Sequence, residues 1–361
     1  MIYLDYQATT PLSPEAREAM LRWLGGPDTE GFANPHSPHR TGRAAAAAIE
    51  VARDQVATLL PPGGRVIFTS GATEALNMAL RGTGATRLAV SAIEHAAVLD
   101  TARAHDPALT ILPVDAEGLI DPDVAIPAGT GLIAVMQVNN EIGTVQPVAR
   151  IAARARAIGA LMLCDAVQGA GKIAPPEGVD LIAVSAHKLY GPKGIGALWV
   201  RDGVAIDPLI LGGGQEGGLR AGTLSPALVA GFGAAAALCT SLWESDAAHV
   251  DRLWTRAQAA LAGWTLNGSA VHRWHGNLNV RLDGLDAARL LSECRNVALS
   301  AGSACASGSG RPSHVLRALG LSDSVARSAL RIGFGRYTGE EDIDEAIAAI
   351  CAAARSQGVS V

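Results

Sequence analysis

Two charged residues stand at the ends of apolar segments. Asp165 ends the run 161-LMLCDA-166, and Lys188, 23 residues later, follows the run 180-DLIAVSA-186. A buried carboxylate without a partner is unfavourable by roughly 3 to 5 kcal/mol, as judged by breaking buried ion pairs. The non-catalytic explanation for Asp165 is a structural salt bridge, and that for Lys188 is a position in a solvated loop. The chemical explanation is a lysine that forms a Schiff base with an aldehyde and a carboxylate that pairs with a protonated ring nitrogen.

A third candidate is the stretch 69-TSGATEALNMAL-80, which leaves a predicted strand, turns at Gly71 and enters a helix that we expect Thr73 to cap. Free N–H groups and the positive end of the helix dipole make such a junction an anion site. Many sheet proteins have this pattern without a ligand. Together, a phosphate site, a strand-end Asp and a strand-end Lys indicate a pyridoxal-phosphate enzyme of the aspartate-aminotransferase type.

The segments around these residues alternate between helical and strand patterns. Helix-length pieces such as 43-RAAAAAIEVARDQVATLL-60 separate short apolar runs, which predicts a largely parallel sheet with helices on both faces. Such sheets place chemistry at the carboxyl ends of their strands. The predicted strands lie at 65–70, 87–91, 110–114, 132–136, 161–166 and 180–186, with 195–200 expected to be antiparallel.

After about residue 243 the pattern changes. Helices are predicted at 246–263, 285–294, 313–320 and 340–355, with strands at 277–284 and 296–300. This mixture predicts a smaller α+β domain. We therefore expect a large domain at 15–245 and a small domain formed by 1–14 and 246–361.

The composition excludes several classes. Of 361 residues, 49% are hydrophobic and the formal net charge is −5 with both signs interspersed, so no electrostatic footprint for nucleic acid is visible. The first residues lack the features of a signal peptide, and the apolar runs are too short to span a membrane. We expect a cytoplasmic protein without a membrane or nucleic-acid partner. Five cysteines without CxxC spacing disfavour a disulfide framework, and no resident metal is expected.

The chain closely resembles the cysteine desulfurases of the NifS/IscS family, nearly from end to end. The resemblance implies a pyridoxal-phosphate transferase of fold type I, with a mostly parallel seven-stranded sheet and a smaller α+β domain that carries the catalytic cysteine. The segments that carry the resemblance are 3-YLDYQATTP-11, 69-TSGATE-74, 94-EHAAV-98, 138-VNNEIG-143, 165-DAVQGAGK-172, 185-SAHKLYGPKG-194, 302-GSACASGSGRPSHVLRALG-320 and 331-RIGFGRYTGEEDID-344.

The resemblance implies roles around the cofactor ring. Lys188 would bind pyridoxal phosphate covalently and later remove the substrate Cα proton. Asp165 would pair with the pyridinium nitrogen, Gln168 would hydrogen-bond the ring hydroxyl, and His95 would stack on the ring and shuttle a proton. A histidine satisfied within the core is the ordinary alternative for His95.

The phosphate and the substrate have their own implied residues. The phosphate would be bound by Ala72, Thr73, Ser185 and His187. Thr223 would reach the phosphate of a neighbouring subunit, which implies a homodimer.

The carboxylate of the substrate, L-cysteine, would pair with Arg331, whose guanidinium suits bidentate binding. Asn34 and Asn140 would assist, and Asn140 would also lie against the cofactor. Ordinary surface or turn positions are the alternative for both asparagines.

Cys305 distinguishes this family from other enzymes of the fold. Its neighbours between 302 and 309 are small, so a mobile loop is expected. The thiolate would take the substrate sulfur as a persulfide, leave L-alanine, and pass the sulfur to an iron–sulfur scaffold or a tRNA-thiolation protein. A transient contact between this persulfide and an iron–sulfur cluster is also implied. The other cysteines are expected to be core residues: Cys164, Cys239, Cys294 and Cys351.

Two further possibilities remain at this stage. A selenocysteine lyase or an aminotransferase could use the same cofactor and fold, although an aminotransferase would not need Cys305. A non-catalytic protein could keep the fold as a binding module. Loss of Lys188 or Asp165 would favour that last possibility, and the sequence retains both.

Overall fold

The computed structural model describes residues 1–302 and 313–360. The strands are β1 Ile2–Tyr3, β2 Gly64–Thr69, β3 Leu88–Ser91, β4 Thr110–Leu112, β5 Leu132–Ala134, β6 Leu161–Asp165, β7 Leu181–Ser185, β8 Gly196–Arg201, β9 Thr265–Leu266, β10 Asn277–Arg281, β11 Val297–Ala298 and β12 Ala329–Gly333. The helices are α1 Pro14–Leu21, α2 Arg40–Ala57, α3 Ala72–Gly82, α4 Ala96–His105, α5 Val148–Ala157, α6 Pro226–Ser241, α7 Trp243–Ala260, α8 Ala287–Glu293, α9 His314–Ala318, α10 Asp323–Ala326 and α11 Glu340–Ser356. Short 3₁₀ turns occupy Ala186–Lys188 and Gln215–Gly218.

The central sheet has the α/β architecture that the alternating pattern predicts. Within the described residues seven strands form it, in the order β2-β8-β7-β6-β5-β3-β4. The neighbours from β7 to β4 pair in parallel, whereas β8 runs antiparallel to both β2 and β7. The expectations of a mostly parallel sheet and of an antiparallel strand at 195–200 are therefore confirmed.

Helices cover both faces of this sheet. Alternate residues of each strand enter different apolar clusters: Ile182 packs on the face that α2, α5 and α6 cover, and Ala183 packs on the face that α3 and α4 cover. Because both faces are buried, the strands read as continuous apolar runs rather than as alternating ones. Every residue of β7 is buried for this reason.

A second group of elements packs beyond the central sheet. In it β10 pairs antiparallel with β12 and β9, and β1 pairs in parallel with β11. Ile2 and Leu4 join the apolar cluster of α7, α8 and α11, whereas Tyr6 joins the cluster of the central sheet. The N-terminal segment thus connects the two groups. The exact domain boundaries at 14/15 and 245/246 stay a prediction.

The strand ends bring the predicted residues to one edge. Asp165 is the last residue of β6, which pairs in parallel with β7, and Asp165 lies opposite Ala183. The 3₁₀ turn that follows β7 ends at Lys188. Adjacent parallel strands therefore deliver the acid and the amine to the same side of the sheet, as the sequence predicts.

The turn after β2 differs from the prediction in one respect. The N-cap of α3 is Gly71, and Thr73 lies inside the first helical turn, so the expectation that Thr73 caps the helix is wrong. The physical reason is that the helix already begins at Ala72. The Thr73 carbonyl accepts a hydrogen bond from Asn77 Nδ2 at 2.9 Å.

In the described residues, no single helix has the length and apolar character to cross a membrane. Taken together, α6 and α7 meet the length and composition criteria, but the chain bends by 75° between them.

We expect Gly196→Ala to destabilise the fold, because a Cβ at Gly196 would lie 2.6 Å from the Val184 carbonyl oxygen and 2.7 Å from Gly71 Cα. Both contacts are backbone atoms and cannot rotate away. Urea denaturation should show a loss of about 1 to 3 kcal/mol in the free energy of unfolding. Gly26→Ala is the control, since a Cβ there meets nothing within 4 Å. Equal stabilities of the two variants would contradict this packing.

Candidate active site

A cavity of about 480 Å³ opens at the carboxyl ends of β6 and β7. Its volume is typical of small-molecule and cofactor sites. The cavity brings together most of the residues that the sequence predicts for the site: Ala72, Thr73, His95, Asn140, Asp165, Gln168, Ser185, His187, Lys188 and Arg331.

Lys188 is oriented by the N-terminal segment. Its Nζ donates hydrogen bonds to the carbonyl oxygens of Gln7 at 2.5 Å and Ala8 at 2.8 Å. The Gln7 carbonyl also accepts from Gln168 Nε2 at 2.9 Å. The backbone of residues 7–8 therefore fixes both side chains. Sequence reasoning assigned no role to Gln7 or Ala8, although both lie in the stretch 3–11 that carries the resemblance.

Asp165 is buried at the end of β6. Its Oδ1 accepts a hydrogen bond from Val167 N at 3.0 Å. Burial raises the pKa of Asp165, whereas that hydrogen bond and the charges of His95 and Lys188 act in the opposite direction. The ionised carboxylate is thus only partly compensated by the chain. Such a group can stabilise a further cation, for example a protonated ring nitrogen.

The N-terminus of α3 forms one wall of the cavity. Ala72 and Thr73 occupy the first turn, where backbone N–H groups have no acceptor within the helix. Ser185, the last residue of β7, lies on the same cavity. Helix N–H groups and a hydroxyl are donors that suit a phosphate.

His187 contributes a neutral imidazole to this wall. Its Nδ1 lies 3.2 Å from Thr9 Oγ1. Burial lowers the pKa of His187 to about 4, and the positive charges of Lys188, Lys193 and Lys172 act in the same direction. The ring is therefore uncharged near neutral pH, and a neutral ring can interact with an anion through a hydrogen bond but not through its charge.

His95 is held by its position at the start of α4. It is the N-cap residue, and its Nδ1 accepts a hydrogen bond from Ala97 N at 3.1 Å. A nitrogen that accepts from a backbone N–H carries no proton, so the neutral ring has its proton on Nε2. The fold therefore fixes which ring nitrogen can donate.

Glu94, which sequence reasoning passed over, is buried beside His95. Its Oε1 accepts hydrogen bonds from Ser91 Oγ at 2.6 Å and Met136 N at 2.7 Å. Its Oε2 has no partner among the described residues. Burial, together with the nearby Asp165, raises the pKa of Glu94 to about 8. This carboxyl group is therefore mostly protonated at neutral pH.

Arg331, in β12, is only 1% exposed and reaches the cavity from the second group of elements. Its Nη2 donates to Asp5 Oδ1 at 2.8 Å and its Nη1 to the Asn140 carbonyl at 3.2 Å. Its buried Nε has no partner among residues 1–302 and 313–360. Asp5 thus orients the guanidinium, a contact that sequence reasoning missed because 326 positions separate the two residues.

Two predicted residues, Asn34 and Thr223, do not line this cavity. Asn34 is exposed, and its Oδ1 accepts from His36 N at 2.9 Å. Thr223 is also exposed, in the segment that follows Arg220. Cys305 lies outside the described residues. Substrate binding by Asn34 and contact between Thr223 and a neighbouring subunit stay predictions.

The cavity fits pyridoxal phosphate by the chemistry of its donors and acceptors. The buried Gln168 Oε1, which has no partner among the described residues, is an acceptor for the ring hydroxyl. Asp165 suits a protonated ring nitrogen, Lys188 an aldehyde, and the α3 N-terminus a phosphate. All four groups lie on one cavity.

The remaining cysteines have the expected environment. Cys164, Cys239, Cys294 and Cys351 are free and buried. Burial raises the pKa of all four thiols, which disfavours the nucleophilic thiolate. The prediction that they are core residues is confirmed.

Comparisons with known proteins agree with this geometry. The family model described as Aminotransferase class-V matches residues 2–346. The mitochondrial cysteine desulfurase of Saccharomyces cerevisiae is 43% identical over 97% of this chain and 74% of its own length. The cysteine desulfurase IscS of Rickettsia felis is 41% identical over 97% of this chain and 90% of its own length.

Solved structures share the fold. A NifS-like protein from Rickettsia africae superposes with a TM-score of 0.88 at 28% identity, covering 98% of this chain and 99% of its own. SspA in complex with cysteine has a TM-score of 0.81 at 34% identity, covering 94% of this chain and 100% of its own.

We expect Glu94→Gln to change how stability depends on pH. The folded-state pKa of Glu94 is raised to about 8 from its ordinary value of 4.5, so the folded state holds a proton that the unfolded state releases between these values. The wild type should therefore lose stability as the pH rises through this window. From about pH 6.5 to about pH 8, unfolding free energies should shift by about 2 kcal/mol in favour of the variant. Parallel pH profiles for the two proteins would contradict the raised pKa.

Proposed function

The chain belongs to the class-V aminotransferase family and is a pyridoxal-phosphate-dependent cysteine desulfurase, and we propose that Lys188, Asp165 and Cys305 carry its activity. The enzyme converts L-cysteine to L-alanine and transfers the sulfur through a persulfide. The observation that carries the assignment of residues is the meeting of Lys188 and Asp165 on one cavity beside the α3 N-terminus.

The cofactor would be held by residues from several elements. Ala72, Thr73, Ser185 and His187 would bind its phosphate, and Gln168 Oε1 would accept the ring hydroxyl. When bound, pyridoxal phosphate supplies a protonated ring that withdraws electrons from the substrate Cα. Asp165 would keep the ring nitrogen protonated, because a buried carboxylate stabilises a neighbouring positive charge.

Lys188 would act as the base. The carbonyl oxygens of Gln7 and Ala8 accept hydrogen bonds from its amine. They would keep the amine near the substrate Cα after the substrate binds, so that it can take the Cα proton. His95 would face the ring with Nε2–H outward and move a second proton.

Arg331 would bind the carboxylate of L-cysteine. Asp5 and the Asn140 carbonyl hold the guanidinium in a fixed plane, and a fixed plane favours bidentate binding of a carboxylate. Asn140 lines the same cavity and would help to orient the substrate. Asn34 would complete the carboxylate site in the assembled enzyme.

Cys305 would take the sulfur. Its thiolate attacks the sulfur of bound L-cysteine, an S–S bond forms, and the Cβ–S bond breaks. The electron pair of the broken bond stays with the substrate carbon, which is protonated to give L-alanine. The persulfide then passes its outer sulfur to an acceptor. A reducing thiol releases the same sulfur as sulfide.

The active form would be a homodimer that transfers sulfur to another protein. Exposed Thr223 would complete the phosphate site of the neighbouring subunit, which explains why it lies outside the cavity of its own chain. The acceptor would be an iron–sulfur scaffold or a tRNA-thiolation protein, and the persulfide would contact a nascent cluster only transiently. A cytoplasmic location is part of this proposal, although one relative is named as mitochondrial.

Two other functions would use the same cavity. A selenocysteine lyase would also bind through Arg331 and Lys188, and an aminotransferase would need a keto-acid acceptor but no cysteine nucleophile. The names of the relatives favour desulfuration over both.

We expect Cys305→Ala to abolish sulfide release from L-cysteine in the presence of a reducing thiol while the cofactor still binds. The reason is that only the sulfur acceptor is lost. The measurement is sulfide production beside the cofactor absorbance of the same sample. Cys351→Ala, a buried thiol in α11, is the matched control and should keep activity. Undiminished desulfuration by Cys305→Ala would refute the relay, and selenocysteine cleavage surviving alone would favour a lyase.

We also expect Lys188→Ala to lose covalent attachment of pyridoxal phosphate. Borohydride reduction followed by peptide mass mapping should place the cofactor on the peptide that contains Lys188 in the wild type and on no lysine in the variant. Lys193→Ala is the control, because Lys193 also lines the cavity but is exposed. A reduced adduct on Lys193 or Lys172 would overturn the assignment.

A further inference from the structure

Glu74 places a carboxylate in the cavity wall at the N-terminus of α3, where the phosphate would bind. It occupies the third position of α3, and it lines the same cavity as Ala72 and Thr73. A negative charge beside an anion site opposes binding unless another charge compensates it. The presence of Glu74 therefore needs an explanation that the phosphate-binding residues alone do not give.

The compensating charge belongs to Arg220. Its Nε donates to Glu74 Oε1 at 2.7 Å and its Nη2 to Oε2 at 3.1 Å, a bidentate pair. The two side chains are only 16% and 11% exposed. Burial opposes ionisation of Glu74, but hydrogen bonds from Arg220 and Ser70 prevail and lower its pKa. The pair is thus ionised on both sides and has no net charge.

Glu74 also has a structural task. Its Oε2 accepts a hydrogen bond from Ser70 N at 2.7 Å, which fixes the turn between β2 and α3. A carboxylate at the third helical position commonly reaches back to a backbone N–H in this way. The turn benefits from the oxygen of Glu74, but the anion site does not benefit from its charge.

The segment that carries Arg220 has another anchor. Glu216 already attaches the turn Gln215–Gly218, because its carboxylate accepts from Arg53 Nη1 at 2.7 Å and from Phe68 N at 2.7 Å. Glu216 adopts this position with a left-handed backbone, φ 49°. Arg220, four residues later, adds a further contact between this segment and α3, and it places a positive charge directly against Glu74.

We propose that Arg220 is a positioning residue that neutralises Glu74, so that the N-terminus of α3 keeps its attraction for the cofactor phosphate. This inference rests on the proposed function, because it takes pyridoxal phosphate as the ligand. Glu74 then orients the turn through its oxygen while its charge is cancelled. Arg220 touches neither cofactor nor substrate in this account.

The test is a double-substitution cycle on the full-length apoprotein. Arg220→Gln, Glu74→Gln and the double variant are each titrated with pyridoxal phosphate and with pyridoxal, which lacks the phosphate. We expect Arg220→Gln to weaken binding of pyridoxal phosphate about tenfold, the effect of one uncompensated charge at a partly buried site. Binding of pyridoxal should not change. The double variant should return to within about threefold of the wild type, since the uncompensated charge is gone.

A purely structural role for the pair gives the opposite pattern. Both single variants and the double variant would then weaken both ligands, and removal of Glu74 would rescue nothing. That result would overturn the inference. Glu74→Gln alone is a second measurement that needs no Arg220 variant. Charge compensation predicts unchanged or tighter binding of pyridoxal phosphate to this variant. A purely structural role for Glu74 predicts weaker binding.

Two controls separate this inference from the proposed function. Arg289→Gln removes an arginine of the surface pair Arg289–Glu293 and should leave both affinities unchanged. If the wild type binds pyridoxal as tightly as pyridoxal phosphate, the phosphate site itself is wrong and the proposed function fails with it. If the wild type prefers pyridoxal phosphate but the double variant is not rescued, only the role of Arg220 fails.

Discussion

The arrangement depends on a buried acid and a half-buried amine at the carboxyl end of a parallel sheet. Asp165 lies at the end of β6, and the turn after β7 ends at Lys188, so the two charges share one cavity. Desolvation destabilises the ionised acid, and the described residues supply one backbone hydrogen bond, from Val167, and nearby positive charge. Because the Asp165 carboxylate is only partly compensated, a cationic ring beside it would be strongly stabilising. If Asp165 were already in a fully satisfied ion pair, the same ring would gain less.

Other elements of the fold position the residues around this end of the sheet. Strand β8 pairs antiparallel with β7, and the missing side chain of Gly196 allows close approach to Gly71, the N-cap of α3. The N-terminal segment crosses from β11 to the cavity, and its carbonyl groups hold Lys188 while Asp5 holds Arg331. Cofactor and substrate residues are thus connected through one segment of about ten residues, which makes the two groups of elements interdependent at the site.

The sequence predicts the contacts that follow from local pattern. Apolar runs locate β6 and β7, and parallel pairing then places Asp165 near Lys188. The sequence does not predict contacts between residues far apart in the chain, such as Asp5 with Arg331. Helical and strand periodicity describes local structure and contains no information on such contacts. The sequence does not single out Glu94, because a carboxylate next to a histidine is also common on protein surfaces. The burial of Glu94 is visible only in the structure. The expectation that Thr73 caps α3 misses the actual N-cap, Gly71, by two residues, because capping preference alone does not fix where a helix begins.

The most direct measurement of the central claim is the protonation state of the ring nitrogen in the bound cofactor. Protein reconstituted with pyridoxal phosphate labelled with ¹⁵N in the ring can be examined by NMR at neutral pH, beside the Asp165→Asn variant. The account predicts a protonated nitrogen in the wild type and an unprotonated one in the variant. The same signal in both proteins would show that Asp165 does not face the ring, and would contradict the account.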